Sequence, residues 1–247
     1  LQRESDWKRA RELVTMLVRH WTHEQPIRAD LATTYRGIVG GGGYCADYVR
    51  VYLACAVTAG LFCRQWAFSF DGFGGHGHTF VEIFDRQHRR WAFIDVHNNV
   101  FATCTGDETP LDALSLWRAL TEAPASVEFR RVGEGRLGFR HFDKLLAYYL
   151  RGADEWYLWW GNDVISREHR SMYSVVSRVS GQFGHRFRSV VGHLPAIVVL
   201  STPENEAKIA RMLRLRRLAL AAALVAAVSV VMLVIELEVL PLPRFHG

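Results

Sequence analysis

The sequence predicts an α+β fold, with N-terminal helices packed on an antiparallel sheet, followed by one C-terminal transmembrane helix. Two observations carry this. A helical stripe over residues 45–60 is followed by three strand-like segments at 62–70, 78–84 and 91–96. Near the C-terminus, residues 218–235 read LALAAALVAAVSVVMLVI, with Ser229 as the only polar residue. With 49% hydrophobic and 22% charged residues among 247, the chain is of foldable rather than disordered composition.

The elements follow in order. Residues 3–22 set Trp7, Ala10, Leu13, Val14, Leu17, Val18 and Trp21 at helical spacing, with Ser5 or Asp6 to cap the start. This reads as an amphipathic helix on the core rather than a partner helix. Pro26 and its polar neighbours break the pattern, and four glycines at 40–43 lead to Cys45, read as clearance that allows a tight approach and leaves space for a substrate before the thiol. In the next helix Tyr48, Val49, Tyr52, Leu53, Ala56 and Val57 share a stripe, and Gly60 is a natural stop. The segment FCRQWAFSF alternates loosely. HTFVEIF turns Phe80, Glu82 and Phe84 one way and Val81 and Ile83 the other, and WAFIDV completes the strand set. Beyond residue 106 the pattern weakens. Residues 110–120 and 139–150 look helical, 155–160 (EWYLWW) are densely aromatic, and AIVVL at 196–200 reads as a late strand or a membrane-proximal segment. The expected division is a core at 1–105, an aromatic-rich accessory region at 106–207, and a basic flank with the membrane helix at 208–243.

At about 1.5 Å per residue, the apolar run at 218–235 reaches roughly 27 Å, close to the hydrocarbon thickness of a bilayer. A buried core helix is the rival, but such helices keep a polar face. Lys208, Arg211, Arg214, Arg216 and Arg217 precede the run, so much of the net charge of +5 belongs to a membrane flank. That placement argues against nucleic acid as the partner. It also puts residues 1–217 on the cytoplasmic side by the positive-inside rule. The chain starts at Leu1 rather than Met, and a missing leader or upstream span would reverse that side. Four cysteines without a CxxC pair suit a reducing compartment and give no zinc pattern.

The residues that carry chemistry are Cys45, His78 and Asp95. Cys45 stands where a helix begins, and a helix start supplies free N–H groups and a positive dipole end that favour a thiolate. His78 opens one strand and Asp95 closes the next, so hairpin pairing would bring them together beside the helix start as nucleophile, base and orienting acceptor. Each residue has a plainer reading. Cys45 could be a buried small hydrophobe, His78 could yield its role to His76, and Asp95 could be a turn residue. His76 with His78 suggests a metal only weakly, because no further ligands cluster with them. Glu82 is either a surface strand residue or an acceptor behind the site. Cys55 and Cys63 read as core, and His97 as a polar loop residue. Trp156, Tyr157, Trp159 and Trp160 read as core, a membrane-interface anchor or a sugar-stacking platform. The Cys45 backbone N–H is a candidate oxyanion donor.

The series GYCADYVRVYLACAVTAGLFCRQW, GHTFVEIF and WAFIDV resembles the transglutaminase-like superfamily, whose members have a papain-like core. Its pattern is G-x-C at a helix start, a helix ending in A-x-G-[ILV]-x-x-R, then G-H-x-[WF]-x-E, then W-x-x-x-D. Here Gly43, Tyr44 and Cys45 match the first piece, and Ala59, Gly60, Leu61 and Arg64 the second. Gly77, His78, Phe80 and Glu82 match the third, and Trp91 and Asp95 the fourth. The resemblance covers about residues 40–100. It implies Cys45 as nucleophile, His78 as general base and acid, and Asp95 as the carboxylate orienting the histidine. No cofactor and no metal is expected. Protein or peptide amides are the implied substrates, cleaved by water or transferred to an amine through a Cys45 thioester. Peptide N-glycanases in the superfamily offer a glycosylated substrate as one alternative. A catalytically idle partner in envelope or polysaccharide assembly is the other. One departure stands out: after Asp95 the chain has Val96, His97 and Asn98 where the family often has D-P-[ST].

Overall fold

The computed structural model describes residues 5–19, 25–27, 29–70, 76–135, 138, 141–159 and 197–239. The Ser5 side chain accepts the Lys8 N–H at 3.1 Å and so caps α1 (Asp6–Leu17), which buries Ala10, Val14 and Leu17 along one stripe. This helix is shorter than the periodicity predicts, and Trp21 lies outside the described residues. Next comes α2 (Leu31–Val39), a helix that the periodicity did not reveal. Asp30 caps it by accepting the Thr33 N–H at 2.8 Å.

The glycine run ends this helix, a role different from the clearance that the sequence suggests. The Gly42 N–H donates to Gly37 O at 2.9 Å and the Gly41 N–H to Ile38 O at 2.8 Å, the paired bonds of a Schellman stop. Gly41 has φ +90°, which a side chain would strain. Then α3 (Cys45–Thr58) begins immediately. It buries Tyr48, Val49, Val51, Tyr52, Leu53 and Ala56. A fully buried Val or Leu contributes about 1.5–3 kcal/mol, so this one face anchors the helix that carries Cys45.

Among the described residues, the strands in chain order are β1 (Phe62–Ser69), β2 (Gly77–Asp85), β3 (Arg90–Ile94), β4 (Val100–Cys104), β5 (Val127–Arg131), β6 (Trp156–Trp159) and β7 (Ile197–Val199). Five form one sheet in the order β3-β2-β1-β6-β7, antiparallel at every junction, while β4 pairs with β5 in a second, two-stranded sheet. The segment AIVVL therefore resolves, over its described residues, as the edge strand β7. The chain from residue 106 onward also supplies β6 to the same sheet as β1 and β2.

Both faces of the large sheet are covered. Val81, Ile83, Ala92 and Ile94 join α1 and α3 in one core. Trp66, Phe68, Phe80, Phe93 and Trp156 form the other with α4 (Ala113–Glu122) and α5 (Leu145–Arg151). The alternation read along β2 is thus a choice between two buried faces. Trp156 and Tyr157 are buried, so neither offers an exposed stacking face for a sugar. The Trp159 side chain and Trp160 lie outside the described residues.

Two carboxylates tie these layers together. Asp6 accepts from Arg9 at 2.6 Å and from Arg86 at 2.6 and 2.9 Å, joining α1 to the β2–β3 turn. The hydrogen-bonded Arg86 guanidinium holds its carboxyl far below the usual range, against the opposing effect of burial. Glu82, fully buried, is neither a surface residue nor part of the Cys45 cluster. It accepts from Arg64 Nε at 2.6 Å, from Trp66 Nε1 at 2.5 Å and from the Ala113 N–H that opens α4.

Finally, α6 (Glu206–Val239) is longer than the apolar run and starts upstream of it. Its first turns belong to the folded domain. The Asn205 side chain donates to Asp154 O and Leu200 O, both at 2.8 Å, and Lys208 pairs with the buried Glu155 at 2.7 Å. Ile209 and Met212, together with Val199, pack on Ala67 and Tyr157. Farther along, Leu218, Leu224, Val225 and Val231 stand exposed. Among the described residues, Glu206–Glu236 is one helix long and apolar enough to cross a membrane.

Candidate active site

Cys45 is the first residue of α3, half-buried, with its backbone N–H at the helix start where no intrahelical acceptor exists. The turn that delivers it is tight. Gly43 has φ +102°, and a Cβ there would stand 3.3 Å from the Asp47 Cβ and from the Tyr48 ring. Asp47 braces the same turn, accepting the Tyr44 N–H at 2.9 Å and the Ile27 N–H at 3.2 Å. An acidic side chain in the first turn also suits the positive end of the helix.

His78 and Asp95 meet as the strand pattern predicts, though diagonally rather than face to face. β2 and β3 pair with Val81 opposite Ile94. One further step sets Asp95 opposite Phe80, two residues from His78 on the same face. His78 Nε2 and Asp95 Oδ2 are 2.7 Å apart, with side chains 3% and 0% exposed. At that burial, an unpaired charge would be costly, so the pair must hold each other. His76 is exposed, and its ring lies against Phe70, 6.1 Å between centroids. Of the two histidines, His78 is the one joined to a carboxylate.

Around this pair the structure adds residues that sequence reasoning missed. Asp95 leaves β3 and bridges to Val100, so Val96, His97, Asn98 and Asn99 form a four-residue turn. That turn folds Asn98 back. Its N–H donates to Asp95 Oδ1 at 3.1 Å and its Nδ2 to Oδ2 at 2.6 Å. From α5, the Tyr149 hydroxyl donates to Asp95 Oδ2 at 2.8 Å. Its neighbour Tyr148 sets its ring 5.5 Å from that of His78 at an interplanar angle of 72°. His97 is buried with its ring 5.6 Å from Tyr48 and 6.2 Å from His78. An Asp followed by Asn three residues on was a local signal for the turn. Nothing local marks Tyr149.

The electrostatics follow from the packing. Burial alone pushes the His78 imidazole down. The field of Asp95, then of Tyr148 and Cys45, together with the Asp95 hydrogen bond, outweighs it and holds His78 well above the ordinary histidine range. For Asp95, burial acts upward, but His78, His97 and the Asn98 N–H hold the carboxyl below its usual value. Burial, with Asp95 behind it, pushes Tyr149 well above the usual phenol range, so it stays a donor. Cys45 bears on His78, Tyr148 and Tyr149 alike, which places the thiol in the same electrostatic cluster. Of the remaining thiols, Cys63 is core and pushed up to about 12 by burial, and Cys55 is half-buried and raised for the same reason.

His78 and Asp95 are thus in direct contact, and Cys45, at the start of α3, lies within electrostatic reach of His78. Such an arrangement can do nucleophilic acyl chemistry: a thiol at a helix start, an imidazole, and a carboxylate that fixes the ring. No protein family, curated protein or solved structure matches the chain.

Proposed function

We propose that this protein is a membrane-anchored, transglutaminase-like cysteine enzyme that acts on amide bonds through a thioester at Cys45. The observation that carries the reading is the buried His78–Asp95 pair at 2.7 Å beside the α3 start. With Nε2 held by Asp95, Nδ1 is the ring nitrogen left to exchange a proton with the substrate side. Cys45 Sγ attacks the amide carbonyl carbon, and its proton is carried by His78. The Cys45 backbone N–H faces the developing oxyanion. Collapse of the tetrahedral adduct breaks the C–N bond, and His78 gives the proton to the leaving amine. Water, or a second amine, then attacks the thioester and passes a proton back to His78, restoring the thiol. Hydrolysis is the outcome we favour.

α6 is the proposed anchor. Lys208, Arg211, Arg214, Arg216 and Arg217, ahead of the apolar run, support a cytoplasmic position for the main domain. The near-complete burial of His78 and Asp95 favours a second reading, in which the fold is kept for binding and the chemistry is idle.

Labelling membranes that carry the full chain with iodoacetamide separates the two. An enzyme predicts that Cys45 reacts roughly tenfold or more faster than the half-buried Cys104, an advantage lost in His78→Ala. Labelling of Cys45 no faster than Cys104 in the parent protein, with no change in His78→Ala, supports the idle reading.

A further inference from the structure

Asp95 is over-supplied with donors. Three of them, His78 Nε2, Tyr149 Oη and Asn98 Nδ2, converge on the single oxygen Oδ2 at 2.7, 2.8 and 2.6 Å. The other oxygen, Oδ1, is held by the Asn98 N–H at 3.1 Å. A carboxylate whose only task was to orient a histidine would need one of these contacts. Hydrogen bonds to a charged acceptor draw on its charge, so each added donor leaves less for the imidazole.

Tyr149 is the donor fixed most firmly. It is fully buried, and rings surround it: Phe129 at 4.9 Å, Phe68 at 5.2 Å, Phe93 at 5.8 Å and Phe80 at 6.0 Å between centroids. A buried tyrosine in an aromatic cage needs a partner for its hydroxyl. Here that partner is Asp95, 54 residues away in the chain.

We propose that Tyr149 is a positioning residue that tempers the His78–Asp95 pair: its hydroxyl holds Oδ2 toward His78 and takes a share of the Asp95 charge. Its consequence for turnover rests on the reading of Cys45, His78 and Asp95 as the catalytic set, whereas the tempering itself does not. The groups facing His78 are Asp95, His97 and Asn98 from the turn after β3, Cys45 from α3, and Tyr148 and Tyr149 from α5. Arg151 bears on Tyr148 in turn. Among the donors to Asp95, only Tyr149 can be altered by a single oxygen atom without touching the turn.

The test is the titration of the His78 imidazole, followed by NMR on the full chain in detergent. Tyr149→Phe removes one donor and is expected to raise the His78 midpoint by roughly 0.5–1 pH unit, the equivalent of one ordinary hydrogen bond. Placing 3-fluorotyrosine at 149, a stronger donor of nearly the same size, is expected to lower it. A midpoint that stays within about 0.2 unit in both proteins, or that falls in Tyr149→Phe, overturns the proposal. If Tyr149→Phe does not fold, the fluorotyrosine protein decides alone. Because the readout is a titration, it stands even if Cys45 proves inert, so failure of the proposed enzymatic reading and failure of this one are told apart.

Discussion

Replacing Cys45 with alanine is expected to lower turnover of 4-nitrophenyl acetate, an activated acyl donor, by at least ~10³-fold, to the level of unassisted hydrolysis. The residue is half-buried at a helix start, and its side chain makes no hydrogen bond among the described residues that the fold depends on. The melting temperature should therefore stay close to that of the parent. Loss of activity with retained stability is the signature of a group used in the reaction. His78→Ala should match the activity loss, because a nucleophile and its base act as a unit and their removal is not additive. Turnover within about tenfold of the parent in Cys45→Ala would remove the thioester from the account.

The second large effect is structural. Glu82→Ala strips the acceptor from Arg64 Nε, Trp66 Nε1 and the Ala113 N–H at once. The Arg64 side chain is 31% exposed and also lies 3.9 Å over the Trp91 ring, so part of its loss is recovered by water. The Trp66 and Ala113 donors are buried and are not rescued in this way. Breaking a buried pair by deleting one partner costs about 3–5 kcal/mol, which for a chain of this size lowers the melting temperature by roughly 10 °C. Thermal melts followed by near-UV circular dichroism measure it, and a loss under about 1 kcal/mol would show that the network is dispensable. A pH signature accompanies the mutation. Burial, opposed by Arg64 and the Ala113 and Trp66 donors, holds the Glu82 carboxyl above its usual value. The folded chain then binds a proton there more tightly than the unfolded chain. This contribution is present at acid pH and is lost as pH rises from the ordinary carboxylate value through the raised one. Glu82→Ala abolishes that slope.

The two networks differ in how far the sequence disclosed them. Cys45, His78 and Asp95 were legible because each sits at an element boundary that local patterns mark: a glycine-led helix start, the opening of an alternating strand, and the close of the next. The glycines were misread in part because two requirements overlap in four residues. Gly41 ends α2 and Gly43 turns the chain into α3, and with α2 unrecognised only the second role was visible. α2 itself is nine residues long with only Thr34 and Ile38 buried, too little for a stripe. β4 and β5 were missed because their pairing spans α4, so no hairpin signal joins them. Glu82 and Tyr149 show the limit most clearly. Each takes its importance from partners that only the tertiary fold brings near: Ala113 for Glu82, and Asp95 for Tyr149. The aromatic residues around 156 carried no periodicity that distinguishes a core strand from an exposed platform. Pairing with β1 and burial of Trp156 decide it.

The proposed mechanism requires that Cys45 becomes acylated. Full-length protein in detergent, mixed with 4-nitrophenyl acetate and quenched in acid within the first turnovers, can be digested and weighed by mass spectrometry. An acetyl group on the Cys45 peptide, removed by hydroxylamine and not formed in His78→Ala, is the predicted result. Product release without any Cys45 adduct, or an adduct that forms equally well without His78, would contradict it.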